Sequence, residues 1–221
     1  MLGILDDVSR VLEMAFRNPG DVILLLDGSN TDARARAVSP AAFSREFSSS
    51  EYSRTIGGIV AGEPPAIELD AEKRLIDGLA ALASGGLVRS AHDISDGGLA
   101  LALAECCFAS YSLAEAGHAV PAFRGAAASL GLTVSVDDPA PAEYAVFGER
   151  GARAVVSVSP ENLAAVLTIA RQYGLAAREI GRVTRDRFRI EQRGHAVIES
   201  AVEALRDAWT NSLEQCLGIR K

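Results

Sequence analysis

Five consecutive apolar residues, Val22 to Leu26, most strongly limit how this chain of 221 residues can fold. Pro19-Gly20 precedes the run and Asp27-Gly28-Ser29 follows it, so turn-forming residues bound it on both sides. A bounded apolar run of this length is typical of a strand that lies inside the protein. The sequence therefore predicts a buried strand over residues 21–26.

Other segments show the alternation and β-branched residues that are typical of strands. Leu132 to Val136 is the clearest of them, and Ala154 to Val158 is similar. Asp137-Asp138-Pro139 ends the first of these two strands with turn-forming residues. Further strands are predicted at 88–91, 180–184 and 188–191, with the last two paired around Arg185-Asp186.

Helical spacing of apolar residues separates these strands. Leu75, Leu79 and Leu82 share one face of a predicted helix that begins with Asp70 as its N-cap and ends at Gly85-Gly86. Residues 28–55 lack such periodicity and are predicted to form a long loop with one short helix at most. Further helices are predicted over residues 99–108, 141–147, 159–174 and 197–216. Strands and helices in this order predict an α/β fold, an α+β sandwich whose mixed, largely antiparallel sheet packs against helices.

The polar heptapeptide from His92 to Gly98 stands between a predicted strand and a predicted helix. A Gly97-Gly98 pair at the first turn of a helix exposes backbone N–H groups that have no partner within the helix, and these suit an anion such as phosphate. Phosphate or nucleotide binding is therefore one hypothesis for this segment, with candidate residues His92, Asp93, Ser95, Asp96, Gly97 and Gly98. The alternative is structural, with Ser95 or Asp96 capping the helix and the glycines allowing close packing.

Composition excludes several classes of function. The net charge of −7 argues against binding to nucleic acid, which normally requires a basic surface. Cys106 and Cys107 are adjacent and do not match a disulfide framework or a CxxC metal site, so buried thiols in a reducing cytoplasm are expected. No apolar run approaches the ~20 residues of a membrane span, and no secretory signal is visible at the N-terminus.

Several segments together resemble one family of enzymes. Ser90 to Leu99 is the most specific of them, and the others occur in the same order and spacing: Gly3 to Val8, Pro19 to Asp21, Ser50 to Tyr52, Gly62 to Pro65, Ala104-Glu105, Phe147 to Glu149 followed by Arg153, and Gly181 to Val183. Nearly the whole chain resembles the C-terminal part of subunit II in the phosphoribosylformylglycinamidine synthase family. Two departures are Ser48-Ser49, where the family commonly has Gly-Gly, and Arg150-Gly151, where it commonly has Ser-Gln.

The resemblance implies a division of the chain into three parts. Residues 1–19 correspond to the remnant of a preceding AIR-synthase N-terminal-like domain, residues 20–195 to an AIR-synthase C-terminal-like α/β domain, and residues 196–221 to a C-terminal helix. The first part is rich in apolar residues, so we expect it to pack on a preceding domain or on a partner chain, and a homodimer through this segment is one prediction.

The resemblance also implies an activity. The family converts formylglycinamide ribonucleotide, ammonia and ATP into formylglycinamidine ribonucleotide, ADP and phosphate, with Mg²⁺ present. Its partners are a glutaminase subunit, which supplies ammonia, and a small third subunit. The first half of the synthetase and the nucleotide- and metal-binding segment of the second half are absent here. We therefore expect no metal ligands and no catalytic residues in this chain, and no activity from it alone.

Other candidate residues come from the resemblance. Ser50 and Glu51 are expected to contact ligand from a loop, whereas Glu149 and Arg153 are expected to form an ion pair that braces the loop after Phe147. Two alternatives to a catalytic fragment stay open: a structural module for assembly of the synthetase, and another ATP-dependent enzyme of the AIR-synthase superfamily. The spelling of the heptapeptide argues against the latter.

Overall fold

The computed structural model of this chain describes residues 7, 10–29, 40–115 and 130–218. In this part of the chain one sheet contains seven strands. Their bounds are β1 Val22–Asp27, β2 Ser90–Asp93, β3 Leu130–Val136, β4 Arg153–Val158, β5 Ala176–Arg185, β6 Arg187–Gln192 and β7 His195–Ala201. The described helices are α1 Pro40–Ser48, α2 Glu51–Gly57, α3 Leu69–Ser84, α4 Gly98–Glu115, α5 Ala142–Phe147, α6 Leu163–Gln172 and α7 Val202–Cys216.

The sheet is mixed and largely antiparallel, which confirms the predicted fold class. Its strand order is β2-β4-β1-β5-β3-β6-β7, and among these neighbours only β3 and β6 run parallel. β5 and β6 follow each other along the chain, but β3 lies between them. The prediction that residues 180–184 and 188–191 pair with each other is therefore wrong. Both strands pair with β3 instead.

The predicted strand at residues 21–26 is confirmed, and it is buried on both faces of the sheet. Leu24 and Leu26 belong to a core with α3 and α6, whereas Ile23 and Leu25 belong to a second core with α4. Because side chains alternate along a strand, a run of five apolar residues fills both cores at once. Helices therefore cover both faces of the sheet around β1.

Three predictions about the bounds of elements need correction. The region predicted as a loop contains two helices, α1 and α2, in its described part, while residues 30–39 lie outside the described residues. The N-cap of α3 is Glu68, because the helix begins at Leu69, so Asp70 lies in its first turn. The helix predicted over residues 197–216 begins at Val202, because residues 195–201 pair antiparallel with β6.

The described part of the N-terminal segment packs on this domain. Residues 1–6 and 8–9 lie outside the described residues, but Phe16 is fully buried in the core that contains α4. Its backbone N–H donates to Cys106 O at 3.1 Å, and its carbonyl accepts from Ser110 Oγ at 2.9 Å. The expectation that this segment packs only on another domain or chain is therefore wrong for Phe16. Val11 and Met14 remain exposed.

The thiols behave as their burial dictates. Cys106 and Cys107 are buried in α4, which raises the pKa of both thiols, whereas Cys216 is exposed in α7. We expect one of the three thiols to react rapidly with a disulfide reagent in the native protein and all three to react after unfolding. Cys216→Ser should remove the rapid phase. Two rapid thiols in the native protein would contradict the packing of α4.

None of the helices in the described part of the chain combines the length and the apolar character needed to cross a bilayer.

Candidate functional site

The last residues of β1 and β2 and the loop that precedes β4 lie together at the same end of these three strands. Because β4 runs antiparallel to both β1 and β2, the last residues of those two strands face the first residues of β4. Asp27 is opposite Arg153, and Asp93 is opposite Ala154. The heptapeptide therefore leaves β2 beside the loop that connects α5 to β4, as the predicted order of strand, polar turn and helix requires.

The two glycines of the heptapeptide have backbone conformations that favour glycine. Gly97 and Gly98 have φ angles of 76° and 65°. A Cβ atom on Gly98 would lie 2.8 Å from Phe147 Cα and 2.9 Å from Gly148 O. The start of α4 thus approaches the end of α5 too closely for any other residue. Close packing, the structural alternative for these glycines, is what the geometry shows.

An acidic side chain of the protein already occupies the N–H groups that were predicted to hold phosphate. Glu149 Oε1 accepts the backbone N–H of Gly97 at 2.8 Å and that of Glu51 at 2.8 Å. The N–H of Gly98 donates to Ser95 O at 3.0 Å. A carboxylate at a helix start is stabilised by the same dipole that would stabilise phosphate. The anion at this helix start is therefore Glu149.

His92 is held between two carboxylates. Its Nε2 lies 2.8 Å from Glu105 Oε2 in α4, and its Nδ1 lies 3.4 Å from Asp93 Oδ1. The side chain is 15% exposed. These contacts join β2 to α4, so His92 has a structural role in this geometry.

A cleft of about 340 Å³ brings together five of the candidate residues. Asp93, Ser95, Asp96, Glu149 and Arg153 contribute to its lining. The other candidates, which are His92, Gly97, Gly98, Ser50 and Glu51, do not contribute to that lining.

Ser50 and Glu51 have local roles at the start of α2. The Oγ of Ser50 accepts the N–H of Ser53 at 3.2 Å, so this buried side chain caps the helix. The carboxylate of Glu51 pairs with Arg54, whose hydrogen bonds lower the pKa of Glu51. Ser50 is therefore used within the fold, whereas the side chain of Glu51 is 39% exposed.

The predicted ion pair between Glu149 and Arg153 is wrong. Glu149 does brace the loop after Phe147, but it does so by accepting the backbone N–H groups of Glu51 and Gly97 at the starts of α2 and α4. Arg153 is buried and donates through Nη2 to Gly148 O at 2.9 Å. Both residues therefore hold the loop that links α5 to β4, each through backbone groups rather than through the other.

Sequence reasoning missed a buried charge network around Arg150. Asp27 is 1% exposed and accepts from Arg150 Nη1 at 3.2 Å and, on its other oxygen, from Nη2. Arg150 Nε lies 3.6 Å from Glu46 Oε1 in α1. Burial raises the pKa of Asp27, but the hydrogen bonds and charge of Arg150, together with Ser29, outweigh burial and hold it at about 2. A carboxylate directly after a buried strand was the available signal.

Four aromatic rings fasten the helices around this network. Phe47 stacks on Tyr144 with ring centroids 4.1 Å apart, and Tyr52 stacks on Phe147 at 4.4 Å. These contacts join α1 and α2 to α5, and they therefore fix the end of α5 from which the loop with Glu149 begins.

The described residues do not fit a metal ion by themselves. No group of three or more His, Cys, Asp or Glu side chains within the described ranges is placed to hold one. The buried carboxylates of the site, Asp27 and Glu46, face the guanidinium of Arg150.

Removal of the Glu149 carboxylate should loosen both helix starts. We expect Glu149→Ala to lower the free energy of unfolding by about 2 kcal/mol, because two partly buried N–H groups lose a charged acceptor. Urea unfolding measures this loss, and hydrogen exchange should accelerate at Gly97 and Glu51. Glu143→Ala on the exposed side of α5 is the matched control, with an effect within about 0.5 kcal/mol. Equal effects of the two variants would contradict the assigned contacts.

The fold and the site together define an α/β domain in which helices flank a mixed sheet and a glycine turn opens the central helix. The profile of the family described as "AIR synthase related protein, C-terminal domain" matches residues 18–192. The chain therefore belongs to this family.

Two curated relatives carry the same name. The phosphoribosylformylglycinamidine synthase subunit PurL of Thermoanaerobacter sp. (strain X514) is 33% identical over 214 residues, which are 97% of this chain and 25% of that protein. The subunit of the same name from Anaeromyxobacter sp. (strain Fw109-5) is 34% identical over 217 residues, which are 98% of this chain and 25% of that protein. The chain thus spans about a quarter of the length of these relatives.

Solved structures share the fold. PurL of Thermotoga maritima in complex with AMPPCP superposes with a TM-score of 0.60 and 20% identity, over 90% of this chain and 28% of that chain. The complex of T. maritima PurL with FGAR gives a TM-score of 0.60 and 23% identity, over 90% of this chain and 30% of that chain. These matches confirm the predicted architecture.

Proposed function

We propose that this chain forms the C-terminal α/β domain in the second half of a phosphoribosylformylglycinamidine synthase. The synthetase would convert formylglycinamide ribonucleotide, ammonia and ATP into formylglycinamidine ribonucleotide, ADP and phosphate. The observation that carries the proposal is identity of 33% to a subunit of that name across 97% of this chain. That the name recurs in the second relative described above favours this reading over another ATP-dependent enzyme of the superfamily.

The domain would position other parts of the synthetase rather than supply catalytic groups. ATP with Mg²⁺ would activate an amide oxygen by phosphorylation, so that ammonia can displace phosphate. The described residues offer no carboxylate cluster for Mg²⁺, so other parts of a longer synthetase would hold that ion. This chain would supply a rigid set of strand ends. There, Arg150 pairs with Asp27 and Glu149 accepts the N–H of Gly97, and these contacts hold the loop before β4 in place.

Nucleotide or phosphate would reach this chain at the cleft beside the heptapeptide. Asp93, Ser95 and Asp96 line that cleft, and all three are exposed. The N–H groups of Gly97 and Glu51 would become available to phosphate only if Glu149 swung away from them.

The activity test uses the chain with and without the rest of a synthetase. The chain alone should form no formylglycinamidine ribonucleotide from substrate, ATP and ammonia. Co-expression with the N-terminal three quarters of the Thermoanaerobacter relative should restore formation of product and growth of a purine-requiring strain. Turnover by the chain alone would overturn the claim of an incomplete site. No restoration by a mixture that forms a stable complex would overturn the proposed function.

A structural module is the second candidate. The observation in its favour is that Glu149 and Ser95 already satisfy the N–H groups of the glycine turn. Titration with ADP and with inorganic phosphate separates the two candidates. Binding that weakens in Ser95→Ala, which removes a hydroxyl donor from the lining of the cleft, with unchanged unfolding, favours a ligand role, and no binding at millimolar concentrations favours the module.

The proposed partners follow from the same relatives. One solved structure of the T. maritima protein carries the name PurLQS, which supports its membership of a larger assembly. We propose a glutaminase subunit, a small third subunit and the N-terminal part of the synthetase as partners, in the cytoplasm. Within the described part of residues 1–19, Val11 and Met14 are the large apolar side chains that remain exposed for a homodimer, whereas Phe16 is buried in the core of this domain.

A further inference from the structure

Two buried aspartates stand at the two ends of β1, and their surroundings differ. Asp21 precedes Val22 and is 2% exposed, whereas Asp27 is the last residue of the strand. The Asp27 carboxylate accepts hydrogen bonds from both Arg150 and Ser29. Asp21 Oδ2, in contrast, is buried and has no hydrogen-bond partner in the described part of the chain. A buried carboxylate oxygen without a donor is costly, above all when the carboxylate is ionised.

The charged groups around Asp21 compensate its carboxylate only in part. Arg89, directly before β2, brings Nη1 to 3.4 Å from Asp21 Oδ1, and the arginine side chain is 34% exposed. The same guanidinium lies 3.7 Å from Glu161, just before α6, so its charge is shared between two carboxylates. Arg182 on β5 donates to the carbonyl of Gly20 instead. Burial therefore outweighs Arg89 and raises the pKa of Asp21 above its ordinary value of 3.8.

Residues 10–20, which we call the strap, are attached to the sheet beside Asp21. The N–H of Asp21 donates to Asn18 O at 3.3 Å, so the aspartate follows directly on the end of the strap. Further along, the N–H of Ala91 donates to Glu13 O at 3.1 Å, and the strap thereby covers β2 at the edge of the sheet. Local opening of the strap would return the Asp21 carboxylate to water without unfolding the sheet.

We propose that Asp21 is a proton-sensitive clasp: protonation of its carboxylate holds the strap closed, and ionisation favours opening of the strap beside β1. The proposal stands on the packing around Asp21 and does not rest on the proposed function. Because a raised pKa means that the closed state binds the proton more tightly than the open one, the cost of ionisation is absent below pH 3.8. It grows as the pH rises through the raised pKa and is constant above it. The strap therefore closes more firmly in mild acid, which is opposite to the effect of Asp27.

Two measurements on the full chain between about pH 4 and 7 test the clasp. The carbon-13 shift of the Asp21 carboxyl reports its titration directly, and we expect a midpoint above 3.8. Amide hydrogen exchange at Gly20 and Ala91, corrected for the intrinsic rate at each pH, reports closure of the strap, because these N–H groups donate to Val183 O and Glu13 O. Protection of both amides should rise as the pH falls. Asp21→Asn should abolish this rise, since the buried group no longer titrates.

Asp137→Asn is the matched control, because Asp137 directly follows β3 and is exposed. It should leave the pH dependence of protection unchanged. Arg89→Met keeps the test decisive if Asp21→Asn fails to fold, since loss of the facing guanidinium should move the Asp21 midpoint to higher pH. An Asp21 midpoint at or below 3.8 in the native protein would refute the clasp. So would a rise in protection that Asp21→Asn leaves intact, or a midpoint that Arg89→Met does not move.

Discussion

Gly98→Ala is expected to lower the free energy of unfolding by roughly 3 kcal/mol. A positive φ costs a residue with a Cβ about 1 kcal/mol or more, and overpacking against a rigid backbone adds about 1–3 kcal/mol. The Cβ would lie 2.8 Å from the backbone of Phe147, which cannot rotate away as a side chain could. Urea unfolding measures the loss.

Gly86→Ala separates the two contributions. Gly86 has a φ of 61°, close to that of Gly98, but a Cβ there would meet nothing within 4 Å. Its variant should therefore lose only the conformational contribution, about 1 kcal/mol. If the two variants lost the same stability, the close approach between α4 and α5 would be contradicted.

Arg150→Met should be equally damaging, with a loss of about 3–5 kcal/mol. The substitution keeps much of the side-chain volume but removes the guanidinium that hydrogen-bonds to the carboxylate of Asp27, which is 1% exposed, and leaves that carboxylate with Arg178 Nη2 at 3.8 Å. Arg187→Met provides the comparison, because Arg187 pairs with Glu199 at the surface. That exposed pair should contribute less than about 1 kcal/mol.

The same substitution should change how stability depends on pH. The pKa of Asp27 in the folded protein is about 2, below its ordinary value of 3.8. A lowered pKa stabilises the fold above pH 4, and this stabilisation is lost as the pH falls towards 2. The native protein should lose about 2 kcal/mol from this group over that window. Arg150→Met should lack this loss, since its buried Asp27 gains from protonation.

A double variant keeps the experiment interpretable. Asp27→Asn combined with Arg150→Met removes both charges, so it should be more stable than Arg150→Met alone. A double variant whose loss equals the sum of the two single losses would contradict a direct contact between the side chains.

Local sequence patterns predicted the centre of this fold well. β1 needed only its five apolar residues and their bounding turns, because a run without polar residues has no favourable place at the surface. The alternation of β3 and β4 was equally informative. The predicted bounds of β2 were two residues early, because pairing with β4 extends the strand into the heptapeptide as far as Asp93.

Errors arose where tertiary pairing decides the outcome. The last helix was predicted to begin at residue 197, but the turn at Arg193-Gly194 returns the chain alongside β6 as a strand as far as Ala201. The hairpin expected between residues 180–184 and 188–191 is broken by β3, which lies more than forty residues earlier in the chain. No local pattern reports an inserted strand.

The candidate site could be predicted only in part, because some of its contacts also depend on tertiary pairing. The glycine turn is a local feature, and its position between strand and helix was correct. Arg150 and Asp27 are separated by 123 positions, so their contact depends on the register of β1 against β4. The role of Glu149 as the anion at a helix start likewise depends on a distant loop.

The insertion of β3 has a consequence for the order of folding. Within the described residues, β3 joins a block of four strands, β2-β4-β1-β5, to the hairpin of β6 and β7. The hairpin is made of residues adjacent in sequence and can close early, yet it has no place in the sheet until β3 docks. Detachment of the hairpin together with α7 would therefore expose an edge of β3 to pairing with another chain.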